Sequence, residues 1–259
     1  MILPAEQGPP AGAGTKPRGG DWQDRGVSDD PRSAQIAANL AQVRDRIAAA
    51  AKAAGRDPAE LTLIGITKTF PAEDARRLVR LGVPDLGENR DQDARVKARE
   101  VPEARWHFVG RLQRNKAASV ASYAAVVHSL DRPELVGALA NGVRRAERGP
   151  LDVLVQVSID GDPDRGRAPA GEVVALADAA AATALLRPVG VMAVAPMDAD
   201  PDRAFAALRE TATAVRAAHP GATVISAGMS GDLEAAVRNG ATHLRIGTAL
   251  LGGRPPVRR

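Results

Sequence analysis

Leu61-Thr62-Leu63-Ile64-Gly65-Ile66-Thr67-Lys68-Thr69 decides the fold. Its apolar residues come almost in a run, with Pro58 before it and Pro71 after it, which reads as a buried strand. Seven similar runs rich in Val, Ile and Leu follow, at 84–88, 105–110, 125–130, 151–159, 186–194, 222–228 and 243–248. Helical stretches lie between them, at 71–81, 91–100, 112–121, 132–147, 171–184, 200–218 and 230–239. Strict strand–helix alternation means right-handed βαβ units and a parallel sheet. Eight units favour an α/β fold of one kind, a closed (β/α)8 TIM-type barrel. An open doubly wound sheet is the alternative. The G-x-G-x-x-G turn of a dinucleotide fold is absent after the first strand.

Upstream of this stretch, an extra helix is expected from Asp29-Asp30-Pro31. Asp is a good N-cap, and Pro is tolerated in the first turn. Ile36, Leu40, Val43 and Ile47 recur on one face, and Gly55 and Pro58 stop the helix. Residues 1–30 hold six Gly and four Pro without periodicity, the composition of a disordered tail. The domain reading is therefore a tail over 1–30 and a single barrel over 31–259.

Composition narrows the function classes. Of 259 residues only six are aromatic, so the core must be built from Ala, Val, Leu and Ile. So few rings argue against stacking surfaces for single-stranded nucleic acid. The net charge of +4 is spread without a basic stripe, so no nucleic-acid partner is expected. No cysteine is present, which excludes thiolate metal sites and a Cys nucleophile. No apolar run reaches membrane-spanning length, and Met1 to Glu6 lacks the plan of a signal peptide. A cytoplasmic protein without a membrane partner is the expectation.

In a barrel of this kind, chemistry sits at the carboxyl ends of the strands. The first strand ends at Lys68, one of only five lysines among 35 basic residues. Desolvation at a barrel mouth lowers an ammonium pKa and frees the amine to attack aldehydes. A solvated strand-end lysine is the ordinary alternative. Asn89 follows the second strand, as a ligand contact or as a cap of the next helix. His107 alternates with Phe108 and reads as a packed core residue rather than a base. The last two strands run into Ser226-Ala227-Gly228-Met229-Ser230-Gly231-Asp232 and Ile246-Gly247-Thr248. Small residues before a helix start expose backbone N–H groups that bind phosphate. Asp232 and Glu234 are expected to face away from such an anion. Arg245 lies within an apolar strand and needs either a carboxylate or a ligand, because an unpaired buried charge is costly. Gly247 shares its face and leaves room for a ligand. A lysine nucleophile, a phosphate cradle and an arginine between them suit pyridoxal 5'-phosphate (PLP).

These motifs resemble the YggS/PROSC family, the pyridoxal phosphate homeostasis proteins. The matching segments are 61–69, Gly87-Glu88-Asn89-Arg90-Asp91-Gln92-Asp93, Trp106 to Lys116, Gly190-Val191-Met192, Ser226 to Glu234 and Val237 to Gly252. They run in order from about Ile36 to Gly253. The resemblance implies a single barrel like the N-terminal domain of alanine racemase, a fold type III PLP protein. It implies that Lys68 forms the internal aldimine. It places Ser230, Gly247 and Thr248 at the phosphate with Met229 alongside, Arg245 at the pyridine nitrogen and Asn89 near the cofactor. Departures are Ala227 where the family has Met, Arg165-Gly166 where a Lys-Gly pair is frequent, and Arg90 and Leu251 in place of aromatics.

The resemblance implies a PLP carrier that maintains vitamin B6 homeostasis without robust catalysis, with apo PLP-dependent enzymes as recipients. Physics agrees with weak chemistry. Arg245 only donates, so at the ring nitrogen it disfavours the pyridinium and weakens the electron sink. Racemases of this barrel type take a tyrosine base from a further C-terminal domain. This sequence ends at Arg259, and its one tyrosine is Tyr123. No such domain is expected, and a monomer is. The other readings are a low-activity PLP-dependent amino-acid racemase and a cofactor-free barrel using Lys68 as an aldolase-type base.

Overall fold

A computed structural model describes residues 30–159, 168–196 and 198–253. The tail expected over 1–30, apart from Asp30, and the Arg165-Gly166 pair lie outside the described residues.

The order is α1 (Pro31–Ala53), β1 (Thr62–Ile66), α2 (Ala72–Arg80), β2 (Asp85–Glu88), α3 (Asp91–Glu100), β3 (Arg105–Phe108), α4 (Ala117–Tyr123), β4 (Val126–Leu130) and α5 (Pro133–Arg145). Then come β5 (Leu151–Ser158), α6 (Val173–Ala181), β6 (Leu186–Met192), α7 (Pro201–Ala218), β7 (Val224–Ser226), α8 (Leu233–Arg238), β8 (His243–Ile246) and α9 (Thr248–Leu251). Each strand pairs in parallel with the next, and β8 closes on β1 from Thr62↔His243 to Gly65↔Ile246. The eight expected strands therefore form a closed barrel, and the open sheet is excluded. A two-residue strand, Ala168–Pro169, adds to the end of β5.

Two apolar layers hold the barrel. The larger lies between strands and helices and takes Leu78, Leu86, Val127 and Val153 from alternate strand positions and facing helices. The smaller lies inside the barrel around Val126, Leu154 and Met192. Gly87 faces inward, where a Cβ would collide with Ile66. Gly65 faces outward, where a Cβ would press on Leu78 and Leu86.

Helix α1 forms as its sequence requires. The Asp30 side chain accepts from the Arg32 N–H, Pro31 occupies the first turn, and Ile36, Leu40, Val43 and Ile47 are buried. Gly55 takes a φ of 66°, a conformation that suits glycine, and ends the helix. Some expected elements are shorter in the structure. The stretch 112–121 is a loop, a 3-10 turn at Arg114–Lys116 and the start of α4. The seventh strand stops at Ser226, since Gly228 turns the chain at φ 91°.

Candidate functional site

A cavity of about 440 Å³ opens at the carboxyl ends of β1, β2, β7 and β8. Lys68, Asn89, Met229, Ser230, Arg245, Gly247 and Thr248 all line it, so the structure brings every expected site residue together. Ile66, Phe70, Val109 and Val194 supply apolar walls.

Lys68 sits in the turn Thr67–Phe70, closed by the Phe70 N–H donating to the Thr67 carbonyl at 3.0 Å. Thr69, the third residue of this turn, has a φ of 72°. That position normally requires glycine, so a β-branched residue there marks local strain beside the lysine. The turn is held from behind by a buried cluster. Lys97 of α3 donates to the Thr67 carbonyl at 2.8 Å and to Glu88 Oε1, and the Thr67 hydroxyl donates to the same oxygen at 2.8 Å. Glu88 is fully buried and Lys97 nearly so. The Lys68 side chain lines the cavity, and its amine has no partner among the described residues.

Arg245 is buried, with no carboxylate in ion-pair contact among the described residues. Its guanidinium donates to the Ser226 carbonyl at 2.7 Å, the Ser226 hydroxyl at 2.7 Å and the Ala193 carbonyl at 2.8 Å. Three of its five N–H groups are thus used. The Nε–H and one Nη2–H are left for a ligand in the cavity. Burial pulls its pKa down to about 10, which keeps it protonated at neutral pH.

A further wall is backbone. The N–H groups of Ser230, Gly231, Gly247 and Thr248 find no acceptor among the described residues. Unpaired amides at two turns, with the Ser230 and Thr248 hydroxyls beside them, form an anion cradle. A Cβ on Gly247 would lie 3.3 Å from Ile66, so glycine keeps this wall open. Neither acidic neighbour, Asp232 or Glu234, lines the cavity. The Met229 N–H donates to Asp232 at 2.5 Å, and Glu234 pairs with Arg46.

Arg46 was not singled out in the sequence, yet it positions the cradle. From α1 it donates to the Ser230 carbonyl at 2.7 Å and holds Glu234 in a two-point pair. Asn39 and Arg32 of the same helix donate to the carbonyls of Leu250 and Leu251, both at 2.9 Å. The extra helix thus clamps both turns. Its polar residues lie between the buried ones, where periodicity records only a solvated face.

Asn89 is not the cap of α3, which starts from Arg90 without a side-chain cap, so its amide remains with the cavity. His107 is core, as expected, bonded to Asp85 and His128. Ala227 and Leu251 are buried behind the cavity and do not line it. A second cleft, of about 870 Å³, shares Asn89 and is lined by Arg90, Arg111, Arg114, Lys116 and Arg132. It contains no glycine, serine or threonine wall for a phosphate. Tyr123 lies outside both; its hydroxyl donates to Asp91 at 3.4 Å, and burial raises its pKa further above the ordinary phenol value.

Fold and cavity define a class: parallel barrels that gather one strand-end lysine, an anion cradle and a buried arginine around one cavity. Residues 32–255 match the family described as alanine racemase, N-terminal domain. The pyridoxal phosphate homeostasis protein of Mycobacterium tuberculosis is 44% identical over 245 residues, covering 86% of this chain and 94% of its own. That of Escherichia coli K12 is 39% identical over 227 residues, covering 85% and 97%. The solved structure of PipY from Synechococcus elongatus with PLP bound superposes with a TM-score of 0.74 at 29% identity, over 84% of this chain and all of that one. Alanine racemase from Corynebacterium glutamicum shares the fold alone, at 15% identity and a TM-score of 0.66. The chain belongs to the YggS/PROSC family of pyridoxal phosphate homeostasis proteins, within the alanine racemase N-terminal-domain fold.

Proposed function

We propose that this protein binds pyridoxal 5'-phosphate in the 440 Å³ cavity and serves vitamin B6 homeostasis as a carrier without robust catalysis. The observation that carries this reading is the convergence of a free strand-end amine, an unpaired amide cradle and a half-satisfied guanidinium on one cavity. Bound there, the cofactor supplies an aldehyde to amines and an electron-withdrawing ring. Lys68 holds it as a Schiff base: its nitrogen forms the C=N bond and the aldehyde oxygen leaves as water. The amides and hydroxyls at Ser230, Gly247 and Thr248 hold the phosphate, with Met229 beside them. Arg245 offers its free N–H groups to the ring nitrogen, and Asn89 closes the second-strand side.

The carrier reading rests on two features. Arg245 stays protonated, so it donates to the ring nitrogen and does not promote its protonation. The described residues place no free base across the cavity from Lys68, and Tyr123 is committed to Asp91. No described helix is long and apolar enough to cross a membrane. We place the protein in the cytoplasm as a monomer, with apo PLP-dependent enzymes as recipients. A weak amino-acid racemase is the second reading, favoured by the shared barrel.

Titration of the cofactor-free protein with PLP, followed by an alanine racemisation assay, separates them. The carrier reading predicts one tightly held cofactor and turnover no faster than free PLP. Turnover well above free PLP and lost in Lys68→Ala favours the enzyme. No uptake of PLP refutes both.

A further inference from the structure

We propose that five residues inside the barrel, Asp85, His107, His128, Ser226 and Arg245, form one directed hydrogen-bond chain that fixes Arg245 at the cavity floor and couples it to the ionisation of Asp85 at the far end. The inference rests on the cofactor reading for what Arg245 faces. The chain itself stands on geometry.

Arg245 Nη1 lies 2.7 Å from Ser226 Oγ, Ser226 Oγ 3.0 Å from His128 Nδ1, His128 Nε2 2.9 Å from His107 Nδ1, and His107 Nε2 2.8 Å from Asp85 Oδ1. Arginine can only donate and a carboxylate can only accept, and with both buried imidazoles neutral the carboxylate end sets the direction of every link. Arg245 donates to Ser226, Ser226 to His128, His128 to His107, and His107 to Asp85. Each neutral imidazole then carries its proton on Nε2. Burial pulls the pKa of both histidines down, which favours this neutral form. A cation at one end and an anion at the other leave the interior links without net charge.

Packing alone gives no reason for this arrangement. Barrels of this type fill their interior with Val, Ile and Leu. Here four of the five residues are buried, from 0% exposure at His128 and Ser226 to 5% at Arg245, and every polar link is satisfied. A fully satisfied buried network rigidifies and specifies one geometry. Ser226 bonds Arg245 through both its hydroxyl and its carbonyl, so the last link also sets the plane of the guanidinium. Only Asp85 has a side chain with appreciable exposure, 15%, at the amino end of its strand. It is therefore the point where solvent and pH reach the chain. The charged and titratable groups around that end are Arg105, Asp152, Arg187 and His243, and Asp232 is the acidic group acting on Arg245.

Two measurements test this. Histidine ¹⁵N spectra of the cofactor-free protein should show His107 and His128 neutral and protonated on Nε2 from pH 8 to pH 6. In the holoprotein, Asp85→Asn keeps an acceptor for His107 but removes the anion, leaving the cavity floor more positive. The pH midpoint of the visible band should then fall by roughly half a unit or more. Ser226→Ala should also move the midpoint and release the His128 tautomer, and Ser226→Thr, which keeps the hydroxyl, should restore both. Either histidine protonated on Nδ1 overturns the chain. So does an Asp85→Asn protein that loses thermal stability but keeps the wild-type midpoint and histidine signals. A wild-type protein that takes up no colour overturns the cofactor reading, and with it the coupling to a ring; the histidine spectra report separately whether the chain is ordered.

Discussion

Lys97→Met is the perturbation whose consequences the structure defines most fully. The Lys97 ammonium bridges the Glu88 carboxylate and the Thr67 carbonyl, and both side chains of the pair are nearly sealed from water, at 9% and 1% exposure. Removing one partner leaves a carboxylate fully buried, with only the Thr67 hydroxyl at 2.8 Å and the Asn89 N–H at 3.3 Å to satisfy it. Breaking such a pair from one side costs about 3–5 kcal/mol. For a chain of this size that corresponds to a melting temperature lower by about 6–20 °C. The double variant Glu88→Gln/Lys97→Met carries no buried charge and should recover most of the loss. Thr67 precedes Lys68 and Asn89 lines the cavity, and both bond the Glu88 carboxylate, so cofactor affinity should fall in the single variant and return in the double. Urea unfolding of the three proteins gives the stabilities, and PLP titration gives the affinities. A Lys97→Met protein within about 1 kcal/mol of wild type would refute the claim that this pair holds the Lys68 turn.

Thr69→Gly relieves a left-handed φ that costs a non-glycine residue roughly 1–2 kcal/mol, less the entropy that glycine adds to the unfolded chain. Denaturant unfolding should show a net gain of about 0.5–1 kcal/mol, and a loss of that size contradicts the strain. Arg46→Ala removes the hold of α1 on the Ser230 turn. Its PLP affinity, measured by titration, should fall about three- to tenfold, the worth of one positioning hydrogen bond; unchanged affinity removes α1 from the site. The buried histidines make stability depend on pH. His243 has its pKa pulled down by burial to about 4, and those of His107 and His128 are lowered too. Below pH 6.5 the unfolded chain takes up protons that the native protein refuses. Stability is therefore full above that pH and falls as pH drops toward about 4, by roughly 1.4 kcal/mol per unit for each such histidine. His243→Asn should flatten this slope in unfolding measured from pH 7 to pH 4.5.

The fold was legible because each strand carries its signal locally. The runs at 61–67 and 151–159 need apolar residues on both faces, since one faces helices and the other the barrel interior. Strand ends were less legible, because Gly228 and the 3-10 turn at Arg114–Lys116 answer to turn geometry rather than to hydrophobicity. The seven cavity residues were legible from their place at strand ends and from the family motifs. What supports them was not. Arg46, Ser226 and His128 act through contacts across 184, 19 and 98 positions of sequence, a separation that no local pattern records. Lysine scarcity also proves a two-edged signal. It makes Lys68 conspicuous, but it marks Lys97 equally, and Lys97 is the buried structural one. Only position at the cavity separates them.

The central claim is that Lys68 is the covalent anchor in this cavity, and trapping it tests that most directly. The holoprotein is reduced with borohydride, digested and its peptides mapped by mass. The account predicts the phosphopyridoxyl group on the peptide carrying Lys68 and no reducible visible band in Lys68→Ala. A label on Lys97, Lys116 or no lysine, or a Lys68→Ala protein that keeps the wild-type band, would contradict it.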